Sequence, residues 1–262
     1  MTESRKLANA KGLYLEGIRD GHMREALDKY TGDRYTQHST GVADGKEGFI
    51  TFFSPFLERN PKRDIQVVRA IEDGRYVFCH VYQSLNDGEA QWVTADLFDT
   101  DENDRIVEHW DVIAEYVWPT ASGRSMVDGP TEIEDLDKTD ENKAIVQGFV
   151  DDVLMGGKVD KVTDYISTEQ YDQHNPEVKD GLAGFGEHLK EVMQSGKPAK
   201  YVKVHHLVGQ GNFVVIFSEV KQGDDDWAFF DIFRLKDGKI VEHWDVQEKI
   251  LPPDQWNNSG KF

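Results

Sequence analysis

The chain has 262 residues, 38% hydrophobic and 30% charged, an ordinary mix for one or two globular domains. Its 49 acidic and 30 basic side chains leave a net charge of −19, which argues against nucleic acid and anionic lipid as partners, since both need clustered cations. No apolar run reaches the ~20 residues of a membrane span, no apolar stretch near the N-terminus reads as a signal peptide, and the lone Cys79 cannot form an intramolecular disulfide or a thiolate metal set, so a cytoplasmic protein is expected.

In chain order, residues 6–19 show a helical pattern through Leu13 and Ile18, and a second short helix, Met23–Tyr30, follows Gly21. A loop carries Tyr35-Thr-Gln-His38. Asp44 then reads as the N-cap of a third helix bearing Phe49, Phe52 and Phe53. Residues 64–72, 75–84, 90–99 and 105–115 read as four strands, rich in β-branched and aromatic residues and separated by short turns such as Asn86-Asp-Gly88. Residues 119–140, with Pro119, Gly123, Gly129, Pro130 and an acidic stretch, have the composition of a linker.

The series then starts again. Helical patterns at 141–155 and Val159–Ile166 lead to Tyr171-Asp-Gln-His174, and Asp180 begins a helix with Phe185 and Leu189. Strand patterns follow at 200–208, 212–221, 226–235 and 239–249. Tyr35, Gln37, His38, Asp44, Gly45 and Phe49 recur 136 positions later. Trp92, Asp96 and Phe98 recur at an offset of 135, and Ile106-Val-Glu-His-Trp-Asp-Val112 recurs unchanged at 134. Small loop insertions account for the drift. The expected organisation is copy one at 1–120, a linker at 121–140 and copy two at 141–262. Helices first and an antiparallel meander after them imply an α+β domain, its helices packed on one curved sheet around a pocket.

Strand parity sorts the chemistry. His109 and Asp111 share one face of the last strand, with Glu108 and Trp110 on the other; His243 and Asp245 repeat this against Glu242 and Trp244. Trp92, Asp96 and Phe98 share a face, as do Trp227, Asp231 and Phe233. An Asp turned inward between aromatics should lose hydration and gain basicity, which suits acid–base work. His38 and His174 are placed at the pocket mouth. His80, whose counterpart is Phe217, would make pocket one polar where pocket two is apolar if it points inward beside Phe78 and Tyr82. Trp92, Trp227, Tyr35, Tyr171, His80, Asp96 and Asp231 are the expected substrate contacts. A metal site from His38, His109 and Asp111 has no supporting spacing, so no metal is expected.

The run Tyr-x-Gln-His, Asp-Gly-x-x-x-Phe, Trp-x-x-x-Asp-x-Phe and Ile-Val-Glu-His-Trp-Asp-Val resembles the SnoaL-like branch of the NTF2-like superfamily over most of both copies. The resemblance implies two tandem cone-shaped α+β barrels, each with three helices on a strongly curved mixed sheet, arranged as an internal pseudo-dimer; a homodimer is a further option. It also implies a cofactor-free acid–base enzyme of cyclase or isomerase type, acting on a small apolar carbonyl compound. In that reading Asp111 and Asp245 are the bases, His109 and His243 orient or donate, and His38 and His174 stand at the mouth. Asp96 and Asp231 are the rival bases. The alternative is a non-catalytic small-molecule-binding or protein-interaction module of the same fold.

Overall fold

The computed structural model describes residues 3–262. It divides into two compact units: one runs to Glu115 and takes in Leu251–Phe262, and the other is Tyr116–Ile250. The edges therefore differ from those expected. The stretch after Glu115 folds as part of the second unit, and the last twelve residues fold as part of the first. Among the described residues no helix is long and apolar enough to cross a membrane.

In the first unit α1 (Arg5–Gly12) runs straight into a π-helical turn, Leu13–Arg19, followed by α2 (Met23–Tyr30). Then come β1 (Thr31–Gln37), α3 (Gly45–Arg59), β2 (Arg63–Asp73), β3 (Tyr76–Leu85), β4 (Ala90–Thr100) and β5 (Ile106–Glu115). The sheet order is β1-β5-β4-β3-β2, with β1 parallel to β5 and the other neighbours antiparallel.

The second unit repeats this plan. It has α4 (Thr139–Phe149) with a π-helical turn at Val150–Leu154, then α5 (Val162–Tyr165), β6 (Asp172–Gln173) and α6 (Gly181–Ser195). Its strands β7 (Ala199–Gln210), β8 (Phe213–Gln222), β9 (Asp225–Lys236) and β10 (Lys239–Lys249) give the order β6-β10-β9-β8-β7, with β6 parallel to β10. Each unit is thus a mixed five-stranded sheet with its helices against one face, the α+β fold expected for each copy.

The meander was legible because alternating apolar residues had to meet a helix layer. In the first unit Val77, Cys79 and Val81 of β3 pack with Leu13, Ile18, Leu27 and Phe49 from the helices. In the second, Val214 and Ile216 of β8 pack with Val146, Phe149 and Val150. The parallel edge strands β1 and β6 were not legible; their sequences lie in the stretches read as loops. The two capping aspartates also act differently from expectation. Asp44 and Asp180 make no side-chain bond to their own helix starts. Each instead accepts the backbone N–H of the last residue of the edge strand, Gln37 or Gln173, at 2.8 Å. They clip α3 to β1 and α6 to β6.

Two glycines let the helices close up. A Cβ on Gly12 would lie 2.4 Å from the ring of Tyr30, and one on Gly148 would lie 2.8 Å from the ring of Tyr165. Gly12→Ala is therefore expected to cost about 1–3 kcal/mol by overpacking, measured by urea denaturation. In a Tyr30→Ala background the same change should be neutral or slightly stabilising, because alanine is the better helix former.

Candidate active site

The site begins with register. Asp96 on β4 stands directly opposite Asp111 on β5, and Asp231 on β9 opposite Asp245 on β10, each pair on the helix-facing side of its sheet. The parallel pairing sets Gln37 beside His109 and Gln173 beside His243.

In the first unit His109 bridges two side chains. Its Nδ1 lies 2.9 Å from Gln37 Oε1 and its Nε2 lies 2.9 Å from Asp96 Oδ1. Asp96 also accepts from Tyr14 Oη at 2.8 Å and from Thr94 Oγ1 at 2.7 Å. In the second unit His243 joins Gln173 Oε1 and Asp231 Oδ1, both at 3.1 Å. There Tyr201 Oη caps Asp231 at 3.0 Å. The phenols come from different elements: Tyr14 lies in the π-helical turn, where copy two has Val150, and Tyr201 lies on β7.

The second aspartates differ more. Lys261, with a side chain 1% exposed, donates to Asp111 Oδ1 at 3.1 Å. Its segment is fastened by Asn257 N–H to Thr40 O at 2.8 Å and by Asn258 Nδ2 to Ser39 O at 2.6 Å and Val42 O at 2.8 Å. Asp245 instead has Asn175 Nδ2 and Gln247 Nε2 on Oδ2, each at 2.6 Å. Its Oδ1 is buried without a hydrogen-bond partner.

The electrostatics follow. Burial acts to raise the Asp111 carboxyl, but the Lys261 ammonium and His109 outweigh it and hold Asp111 below the usual carboxylate range. Burial, only partly opposed by His243, raises Asp245, with Asp231 adding to the rise. Burial also raises Asp96 against the opposing bond from His109. His243 is raised: burial opposes its charge, but its bond to Asp231 and the field of Asp245 prevail. Burial, reinforced by the paired aspartates, pushes the Tyr35 and Tyr171 hydroxyls far up.

In the first unit Tyr35, His109 and Asp111 line a cavity of about 410 Å³, within the range of small-molecule sites. Tyr35, Gln37, Ser39, His109 and Asp111 form one polar patch of its lining, Arg59, Asn60 and Gln83 are further polar lining residues, and Leu13, Ile18, Phe49, Phe53, Phe56 and Phe98 supply apolar wall. Trp92 and Phe52 line it and stay 37% and 42% exposed, so they stand where it opens. Tyr35 Oη is buried there and makes no hydrogen bond.

Three expected placements need correction. His38 is buried away from the cavity, stacked on Trp110 at 4.9 Å, with its ring nitrogens against Glu108 Oε1 at 2.9 Å and Gly260 O at 2.7 Å. His174 does the same with Trp244, Glu242 and Ser125 O. Both lie on the sheet face opposite the aspartates, where they hold the covering segments, so His38 does not join His109 and Asp111. His80 is on that opposite face too: its neighbour Cys79 is the residue paired with Asp96. There it bonds Arg69 Nη1 at 2.7 Å. Phe217 likewise lies on the face away from Asp231 and stacks on Phe230 at 4.4 Å.

Tyr14, Tyr201, Lys261, Asn175 and Gln247 were not anticipated. Gln37 and Gln173 were visible as the third residue of a repeated motif, but without a role. Asp96, His109 and Asp111 offer ligand atoms within 4.8 Å of one another, as do Asp231, His243 and Asp245.

The sequence profile of the SnoaL-like domain matches residues 13–109 and again 146–243, so the chain belongs to the SnoaL-like family and carries the domain twice. Among solved structures it is similar to IdmH of Streptomyces antibioticus, described as a candidate polyketide cyclase, at 18% identity over 42% of this chain and 92% of that one, with a TM-score of 0.36. It is similar to a candidate ketosteroid isomerase from Kribbella flavida at 16% identity over 44% and 84%, TM-score 0.37. TsrD from Streptomyces laurentii is similar at 14% identity over 43% and 91%, TM-score 0.37. No curated protein matches the sequence.

Lys261→Met should cost about 3–5 kcal/mol at neutral pH, because it leaves a buried carboxylate without its cation. Since Asp111 is lowered on folding, the pair stabilises above the ordinary carboxylate range and its contribution fades as pH falls through the folded value. Denaturation curves for wild type and variant should therefore lie furthest apart near pH 7 and converge in acid.

Proposed function

We propose that the first unit is an acid–base site for a small apolar carbonyl compound, of aldol-cyclising or isomerising type, worked by side chains alone. The observation that carries this is one cavity: an ionised Asp111, an oriented His109 and the unpaired Tyr35 hydroxyl share one polar patch of a chamber walled largely by apolar side chains. Asp111 takes the proton from the carbon next to the carbonyl. The Tyr35 O–H donates to the oxygen as it becomes an enolate. Because its own ionisation is pushed far up, Tyr35 stays a donor at neutral pH. The carbanion then attacks a second carbonyl of the same molecule, or is reprotonated at another carbon. The phenylalanines of α3 keep water from the enolate. Asp96 is the weaker candidate for the base, since both its oxygens already accept hydrogen bonds.

The Lys261–Asp111 pair also favours a second reading, a small-molecule binder without turnover, because pairing weakens a base. Proton exchange separates the two and needs no knowledge of the natural substrate. With a bicyclic ketone such as 2-decalone in D2O, the protein should speed α-proton exchange above buffer, followed by NMR. Asp111→Asn should remove about 100-fold or more of that acceleration, and Tyr35→Phe should lower it while leaving ketone binding in place. Ketone binding with exchange no faster than buffer would establish the binder.

A further inference from the structure

We propose that the second unit binds a divalent transition-metal ion on Asp231, His243 and Asp245, supplying the positive charge that Lys261 brings to the matching cluster of the first unit. This goes beyond the acid–base reading and stands in the other unit, so either can fail without the other.

The case starts from matched clusters with unmatched charges. Each unit buries two carboxylates and an imidazole whose ligand atoms lie within 4.8 Å of one another. Each unit's covering segment is held by an equivalent bond, donated by His38 Nδ1 to the Gly260 carbonyl or by His174 Nδ1 to the Ser125 carbonyl. The next residue is Lys261 in one case and Met126 in the other. Lys261 delivers an ammonium to Asp111; Met126 carries no charge. Asp245 accordingly keeps Oδ1 buried with no hydrogen-bond partner, on a residue only 4% exposed. An orphaned carboxylate oxygen at that depth is costly unless something cationic meets it.

The remaining atoms are arranged as an outer shell. Gln173 Oε1 accepts from His243 Nδ1, which turns Nε2 toward the carboxylates. Asn175 and Gln247 hold Asp245 by its other oxygen, and Tyr201 holds Asp231. Such partners fix the orientation of metal ligands and are part of what a metal site requires. Bonds of about 2.0–2.2 Å to nitrogen and carboxylate oxygen need only side-chain closure from the present spacing. One nitrogen with two carboxylates suits Zn2+, Co2+, Mn2+ or Fe2+, while calcium and magnesium favour oxygen alone. Three protein ligands leave positions open for water or a ligand.

The test uses the full chain, stripped with a chelator and titrated with Co2+ as the probe, read by calorimetry and by visible absorption. One ion per chain is expected. Asp245→Asn should abolish it, while Gln173→Ala, a milder change to the outer shell, should weaken it about 10–100-fold. Asp111→Asn should leave it in place. Lys261→Met should create a second site, giving two ions per chain. Absence of binding in the wild type, binding that survives Asp245→Asn and Gln173→Ala at full strength, or a site lost with Asp111→Asn would each overturn the proposal. A Lys261→Met protein that folds and still binds one ion would overturn the claim that lysine and metal do the same work.

Discussion

Two aspartates set opposite each other on neighbouring antiparallel strands, beneath a layer of helices, cannot both be ionised unless positive charge comes with them. Both units accept this constraint, with Asp96 across from Asp111 and Asp231 across from Asp245. Much of the surrounding structure answers it. The parallel edge strand exists where it does to bring Gln37 or Gln173 beside the histidine. The helix-start aspartate clips that strand's end. The histidine then faces one carboxylate while its other nitrogen is anchored.

The copies meet the constraint by different means. The phenol over the first aspartate comes from a π-helical turn in one unit and from an outer strand in the other. An ammonium meets the second aspartate in one unit, and two amides meet it in the other. Phe52, Phe53 and Phe56 in α3 correspond to His188, Leu189 and Val192 in α6. The backbone plan has been kept while the side chains that tune charge and cavity lining have parted.

The sequence made the strands and the facing of Asp96, His109 and Asp111 readable, because alternation in a regular strand assigns faces without further information. It could not say which face of a strand turns to the helices when both are apolar. His80, between aromatic neighbours on its own face, looked like an inward residue for that reason and lies on the far side. His38 looked like a residue of the pocket mouth, yet its ring is spent on Trp110, Glu108 and a backbone carbonyl. Edge strands with Gly32 and polar residues carry too little alternation to be seen. Lys261 was beyond reach because it lies outside the elements that the repeat aligned.

That lysine has a consequence for how the protein is made. Asp111 and Lys261 are 150 positions apart in the chain. A ribosome finishes every strand of the first unit, and then the whole second unit, before it reaches the residue that neutralises the first site. Until then Asp111 has no ammonium from Lys261 beside it. The first unit reaches its full stability only with the segment Leu251–Phe262, so a chain cut before that segment would be marked by a weakened first unit.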